Sequence, residues 1–192
     1  MSTAWETIRA QIESCMAEKE LVIVAIDGPC TAGKTTLARM LQDFYDCNVF
    51  HMDDFFLRPE QRTPERFAQT GGNVDYERFA EEVLTPLKAN VPFSYRPFDC
   101  HSFTLTEPVA VSPKKLTIIE GTYSQHPYFG DPYDLKIFLT IPKDVQHQRI
   151  IERPAALHDR FFNLWIPMET QYFEKFQIPQ QAHIVIPSSP SK

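Results

Sequence analysis

At 192 residues, with 43% apolar and 23% charged side chains, the chain has the size and composition of one globular domain with a buried core. It holds no run of about 18 apolar residues, which excludes a bilayer-spanning helix and speaks against a membrane partner. A net charge of −6 disfavours a nucleic-acid polymer, which needs a basic face, and leaves a small anion held locally allowed.

The first segment, MSTAWETIRAQIESCMAEKE, places Trp5, Ile8, Ile12 and Cys15 or Met16 at helical spacing among charges. That predicts an amphipathic helix in place of a signal peptide, and hence a cytoplasmic chain. The apolar run LVIVAI at 21–26 predicts a buried strand, and a helical pattern occupies 34–45. Between them Gly28 to Thr35 fits G-x-x-x-x-G-K-[ST], in the strand-turn-helix setting that a phosphate-cradling loop requires. In such a loop the glycines let backbone N–H groups turn toward phosphates and the helix N-terminus adds its partial positive charge. Lys34 then reaches the outer phosphates and Thr35 takes Mg²⁺, while Gly28, Thr31, Ala32, Gly33 and Thr36 complete the cradle. A nucleoside triphosphate with Mg²⁺ is the expected ligand.

A second strand, CNVFHM at 47–52, stops at Asp53 and Asp54. Functional groups of a parallel sheet gather beyond the carboxyl ends of its strands, and successive strand side chains leave on opposite faces. At most one of the two carboxylates is therefore expected to face the phosphates, where it can accept the proton of an attacking hydroxyl. A turn or cap pair is the competing reading. The helical stretch DYERFAEEVLTPLKA, 75–89, starts at Asp75, where an N-cap belongs. Residues 91–114 break the rhythm with Pro92, Pro97, Pro108, Pro113 and the aromatics Phe93, Tyr95, Phe98 and Phe103, and read as a hairpin-like excursion.

Three more strands are expected at 116–120, 135–141 and 182–186, with helices at 142–153 and about 161–176. Strands alternating with helices predict an α/β fold: a parallel sheet with helices on both faces, in one domain spanning 1–192. Glu120 ends the strand LTIIE before Gly121, and a buried strand seldom ends in a carboxylate without reason. Arg149 and Arg153 lie one turn apart, and Pro154 then discourages the helix from continuing, which predicts a lid at about 153–163. Cations near a helix C-terminus would explain Arg153 alone. The end PSSPSK, 187–192, has a disordered composition. Cys15, Cys30, Cys47 and Cys100 show no C-x-x-C pairing, which predicts reduced thiols and no zinc site.

In order and spacing, GPCTAGKT, Asp53-Asp54-Phe55-Phe56 (as D-x-F-[YF]), GGNVDYERF (as N-F-D-x-x-x-x-F), IIEG and AHIVIP resemble the motifs of the uridine kinases, nucleoside kinases of the phosphate-loop (P-loop) fold. The resemblance spans nearly the whole chain. It implies a three-layer α/β sandwich with a central five-stranded parallel sheet, ATP and Mg²⁺ as cofactors, and transfer to the 5′-hydroxyl of uridine or cytidine. By the same resemblance Asp53 is the general base that also helps hold the metal, and Glu120 lies near Mg²⁺. Asp75 grips ribose hydroxyls, Arg149 and Arg153 reach over the transferring phosphoryl group, and Arg160 is a third cation on the nucleotide side. Tyr95 and His101 fall in the region of the family's base-binding hairpin. The chain departs from that pattern in its wider arginine spacing, its shorter hairpin and the added residues of EGTYSQHP.

Three alternatives stay open. A guanine-nucleotide switch would need N-K-x-D, which is absent. A phosphate-loop kinase of another small hydroxyl compound, such as a sugar, sugar phosphate or pantothenate-like alcohol, keeps the same carboxylate after the second strand. A non-catalytic nucleotide-binding module would use Asp53 only as a turn residue. Self-association into a homo-oligomer is also left open.

Overall fold

The structure is a computed structural model, and it describes residues 3–187. Helix α1 (Thr3–Glu18) buries Ile8 and Ile12 against the sheet, as its periodicity predicts. Strand β1 (Val22–Asp27) is buried along its whole length because both of its faces are covered. Val22, Val24 and Ile26 enter the core under α1 and α2, whereas Ile23 and Ala25 enter the core on the opposite face. This alternation between two cores is why the strand reads as a continuous apolar run.

Helix α2 (Lys34–Phe44) follows the loop, and β2 (Cys47–His51) follows α2. Beyond β2 the chain tightens into a 3₁₀ turn, Met52–Phe55. Asp53 and Asp54 therefore sit on a turn one residue past the strand, and the strand alternation expected to separate them does not apply. A short helix α3 (Pro64–Phe67) leads to α4, which runs over 76–88 as one continuous helical stretch. Its middle, Ala80–Leu84, is π-helical, with the Thr85 N–H reaching back to Ala80 O. Pro86 explains the widening: its ring would collide with the carbonyl one turn back in a regular helix.

The excursion at 91–114 is two nested antiparallel ribbons: β3 (Phe93–Tyr95) against β6 (Val109–Val111), and β4 (Phe98–Asp99) against β5 (Thr104–Leu105). Strands β7 (Leu116–Glu120) and β8 (Leu135–Thr140) then lie on either side of β1. Helix α5 (Lys143–Ile151) leads into the segment expected to be a lid. That segment is ordered as a 3₁₀ turn, Ala155–Leu157, and the first turn of helix α6, which runs over 158–175. Helix α6 repeats the device of α4: its π segment Phe161–Trp165 immediately precedes Ile166-Pro167. Helix α7 (Ile178–Gln181) and strand β9 (Ile184–Pro187) complete the chain. Pro187 ends a strand and does not begin a tail, while 188–192 fall outside the described residues.

The five-stranded sheet is wholly parallel, in the order β2-β7-β1-β8-β9. No helix among the described residues is long and apolar enough to cross a membrane. The four cysteines are unpaired.

At the exit of β1 the chain passes close against β8. Gly28 has φ +144°, and a Cβ there would lie 2.3 Å from the carbonyl oxygen of Leu139. Gly28→Ala adds strain and a backbone clash and should destabilise by about 2 kcal/mol or more. Thermal melts should show the midpoint lowered by about 4 °C or more, and an unchanged midpoint would contradict this account of the loop's entry.

Candidate active site

Three strand ends and one helix start meet at the carboxyl edge of the sheet: Asp27 from β1, His51 and the turn behind it from β2, Glu120 from β7, and Lys34 opening α2. Between β1 and α2 the loop bends through left-handed φ values at Thr31 (62°) and Gly33 (98°). The first-turn N–H groups of α2, those of Lys34, Thr35 and Thr36, are among the donors that a helix leaves without internal partners. Ala32 serves differently from expectation: its N–H closes the loop on Pro29 O at 3.2 Å, and its methyl is buried in the core. The Thr31 Oγ1 is buried without a partner.

The Lys34 ammonium is buried and held by three oxygens, Gly28 O at 2.7 Å, Pro29 O at 2.9 Å and Thr122 Oγ1 at 3.2 Å. Thr122 in turn donates to Gly28 O at 2.9 Å. The lysine is pinned by neutral oxygens in place of a carboxylate, so its charge is not cancelled by direct contact. Beside it, Thr35 Oγ1 donates to Glu120 Oε1 at 3.0 Å, and His51 Nδ1 lies 2.6 Å from the same oxygen. The Glu120 bond holds the His51 imidazole above its ordinary pKa, against the effect of burial.

The two aspartates of the turn face different neighbourhoods. Asp53 is reached by solvent but lies in a concave site, where loss of surrounding water pushes its carboxyl up. Lys34 is the first charge to oppose that, Glu120 reinforces it, and His51 and Arg153 also act on it. Asp54 is likewise pushed up by burial and accepts a bond from the Tyr95 hydroxyl at 3.4 Å. Asp53 thus belongs to the phosphate-loop side, and Asp54 to the side of the excursion.

On that second side Arg78 is the hub. It is buried, donates to Asp54 O at 2.8 Å and Arg96 O at 2.7 Å, and lies over the Phe55 ring. Asp75 caps α4 by accepting the Arg78 N–H at 3.1 Å. Its other oxygen, Oδ2, is buried without a hydrogen bond, 3.6 Å from Arg78 Nε and 3.8 Å from Arg58 Nη2. The Tyr95 ring is enclosed, stacked on Phe55 and edge-on to Phe50, so it offers its hydroxyl and not a stacking face. His101 sits apart in the exposed β4–β5 turn, with its N–H bound to Asp99 Oδ1 at 2.9 Å.

The three expected arginines also separate. Arg149 Nη1 donates to Thr31 O of the loop at 2.8 Å. Arg153 lies over the Phe161 ring, close enough to Asp53 for its charge to act there. Arg160 is exposed on the first turn of α6.

Sequence reasoning missed Asp27, which is fully buried. Its Oδ1 accepts the Gly28 N–H at 2.7 Å, and its Oδ2 accepts the Tyr172 hydroxyl at 2.8 Å and the Gln125 N–H at 3.1 Å. The signal was present, since Asp27 ends an apolar strand just as Glu120 does. The added residues of EGTYSQHP turn out to be support. Thr122 and Gln125 brace the loop, and His126 stacks on Tyr76 with its Nε2 3.2 Å from Thr70 O.

Thr35 and Glu120 present hard oxygen donors to one point, as Mg²⁺ requires. No set of three or more His, Cys, Asp or Glu side chains forms a metal cage among the described residues. The orphaned Thr31 hydroxyl and the open first turn of α2 likewise fit an anion rich in acceptor oxygens.

No protein-family profile and no curated protein matches the sequence. Solved structures do match in fold. A provisionally identified uridine kinase from Bacillus stearothermophilus aligns with TM-score 0.67 at 21% identity, over 94% of this chain and 99% of its own. A provisionally identified fructose transport system kinase from a Silicibacter species aligns with TM-score 0.70 at 19% identity, over 97% and 100% of the two chains. D-glycerate 3-kinase from Cryptococcus neoformans aligns with TM-score 0.63 at 13% identity, over 88% and 87%. The chain therefore has the fold of the P-loop kinases, a three-layer α/β sandwich around a five-stranded parallel sheet.

Burial pushes the Asp27 carboxyl from 3.8 up to about 6, against the Tyr172 bond, the Lys34 charge and the two N–H groups. A carboxylate whose pKa is higher folded than unfolded contributes most stability below the unfolded value and loses it as pH rises through the folded one. Asp53, Asp54 and Glu169 are raised by burial too, and His51 is raised by Glu120, so these act with the same sign as Asp27, while His126, lowered by burial, opposes them in this window. The thermal midpoint should therefore rise as pH is taken from about 7 toward 5, and Asp27→Asn should remove part of that rise. A flat or falling midpoint over this window, or an identical slope in the variant, would contradict the assignment.

Proposed function

We propose that the chain is an ATP- and Mg²⁺-dependent kinase that transfers the γ-phosphoryl group to a hydroxyl of a small molecule. The observation that carries the reading is the convergence of Lys34, Thr35, Glu120 and Asp53 at the mouth of one phosphate loop. The kinases whose fold it shares include ones named for uridine, fructose and glycerate, which differ in acceptor.

In this reading the loop amides and the start of α2 bind the triphosphate, and Lys34 leaves its carbonyl partners to meet the outer phosphates. Mg²⁺, held by Thr35 and Glu120, supplies neutralisation of phosphate charge when bound. Asp53 accepts the acceptor's proton on its carboxylate, and its raised pKa makes it a stronger base than an aspartate at the ordinary value. Arg153 adds positive charge on the Asp53 side, Arg149 acts by fixing the loop through Thr31 O, and Arg160 stays a candidate nucleotide contact on the lid segment.

The acceptor is proposed as the 5′-hydroxyl of uridine or cytidine, on the motif order and on Asp75, whose Oδ2 is ion-paired but makes no hydrogen bond and so can accept one from a ribose hydroxyl. One observation favours a second reading, another small hydroxyl compound. The Tyr95 ring is enclosed and His101 lies apart in a turn, so the two side chains expected to hold a flat base do not converge.

Asp53→Asn keeps size while removing the proton acceptor and should lower turnover by roughly 10²–10⁴, with ATP binding retained. Lys34→Ala should weaken ATP binding and abolish transfer. Normal turnover in either variant would sink the mechanism. Acceptor-dependent ADP release should be scored over nucleosides, sugars, sugar phosphates and pantothenate-like alcohols. Stimulation by uridine or cytidine that disappears in Asp53→Asn supports the nucleoside. Stimulation by another compound alone, equally lost in Asp53→Asn, replaces the acceptor and leaves the chemistry standing.

A further inference from the structure

The phosphate loop is gripped by side chains from the two helices on either side of the expected lid. From α5, Arg149 holds Thr31 O, and Gln146 Nε2 donates to Cys30 O at 3.2 Å. From α6, Tyr172 holds Asp27, and one turn earlier Glu169 Oε2 accepts the Cys30 N–H at 2.9 Å. Glu169 Oε1 also accepts a bond from Gln146 Nε2 at 3.1 Å, so Cys30 is tied to both helices through one buried network. Glu169 is only 4% exposed and Gln146 8%.

A carboxylate this deeply placed on a helix costs more than an apolar residue of the same size, so its bonds point to a role that the fold alone does not need. Packing of α6 does not require it, because Tyr172, Phe173 and Phe176 already join the core on that side. What Glu169 adds is a fixed position for the third residue of the phosphate loop.

We infer that Glu169 is a positioning residue for nucleotide binding: its bond to the Cys30 N–H fixes the register of the phosphate loop and ties that register to the helix leading out of the lid. The inference rests on the nucleotide-binding reading given above. If the loop occupies its binding-competent shape only part of the time, apparent affinity falls by that fraction. Glu169→Ala leaves the partly buried Cys30 N–H without its acceptor, which favours other loop shapes. Glu169→Gln keeps one acceptor oxygen, enough for the Cys30 N–H though not also for Gln146 Nε2.

The test is calorimetric titration of the intact protein with Mg·ATP, without acceptor, followed by steady-state kinetics. Glu169→Ala should bind Mg·ATP about tenfold or more weakly, with the KM for acceptor and kcat at saturating ATP little changed. Glu169→Gln should restore binding to within about threefold of wild type. A folded Glu169→Ala variant that binds as wild type does, a fall in kcat and both KM terms together, or a glutamine variant as weak as the alanine one would each overturn the assignment. Should Glu169→Ala fail to fold, Gln146→Met removes the second tie to Cys30 at similar volume. It should weaken Mg·ATP several-fold, and unchanged binding would overturn the inference. Wild-type protein that does not bind Mg·ATP overturns this inference and the nucleotide reading together. Binding without transfer to any acceptor bears on the proposed reaction alone.

Discussion

A loop that wraps an anion must keep its inward N–H groups unpaired, so its shape has to be fixed through its other groups. Here those groups have charged or polar partners. The Gly28 N–H goes to Asp27, the Cys30 N–H to Glu169, and the Thr31 carbonyl to Arg149. The rest of the architecture is arranged to deliver these partners. Because β1 lies between β7 and β8, the loop after β7 brings Thr122 and Gln125 to one side, and the Leu139 carbonyl of β8 confines Gly28 on the other. A loop fixed in this way has little conformational freedom left to lose when it binds, which is the physical meaning of preorganisation.

Much of this was legible in the sequence, and what was not has a common cause. The five strands appear where apolar β-branched runs stand, within about two residues, because a strand buried on both faces can hardly look otherwise. The loop residues and Glu120 were legible because local order encodes them: glycines at turning points, a lysine opening a helix, a carboxylate closing a strand. Glu169, Gln146 and Tyr172 were not, since their contacts cross 139, 116 and 145 residues of chain and their helical spacing looks like ordinary amphipathicity. Nothing local separates a buried Glu at such a position from a solvated one.

The two prolines inside predicted helices teach a related point. Pro86 and Pro167 fall inside the expected helices 75–89 and 161–176, and the chain continues through both by widening the preceding turn into a π segment. In α4 the continuation keeps Arg78 and Glu82 on one face, where they join the excursion to Asp54 and Asp75. The side of the site facing the excursion is thus built around an arginine that no motif singled out. The aromatic residues that looked like a platform for a ring, Tyr95 above all, are consumed in packing the excursion against Phe50 and Phe55.

The charges near the loop raise an apparent conflict, because an acidic chain places two buried carboxylates that bond to the loop backbone, Asp27 and Glu169, beside a site suited to a polyanion. The conflict is eased by direction. Each carboxylate accepts loop N–H groups, so its charge is partly met by backbone dipoles, and Lys34 lowers the pKa of both. Burial still outweighs those effects and holds both carboxyls above their ordinary values, so each charge is kept at a cost in stability. That cost has a consequence for sequence change. An apolar replacement at Glu169 could leave the fold as stable or more so, while freeing the loop it now restrains. Stability and the restraint on the loop are therefore set by different atoms of the same network, and a gain in one need not carry the other with it.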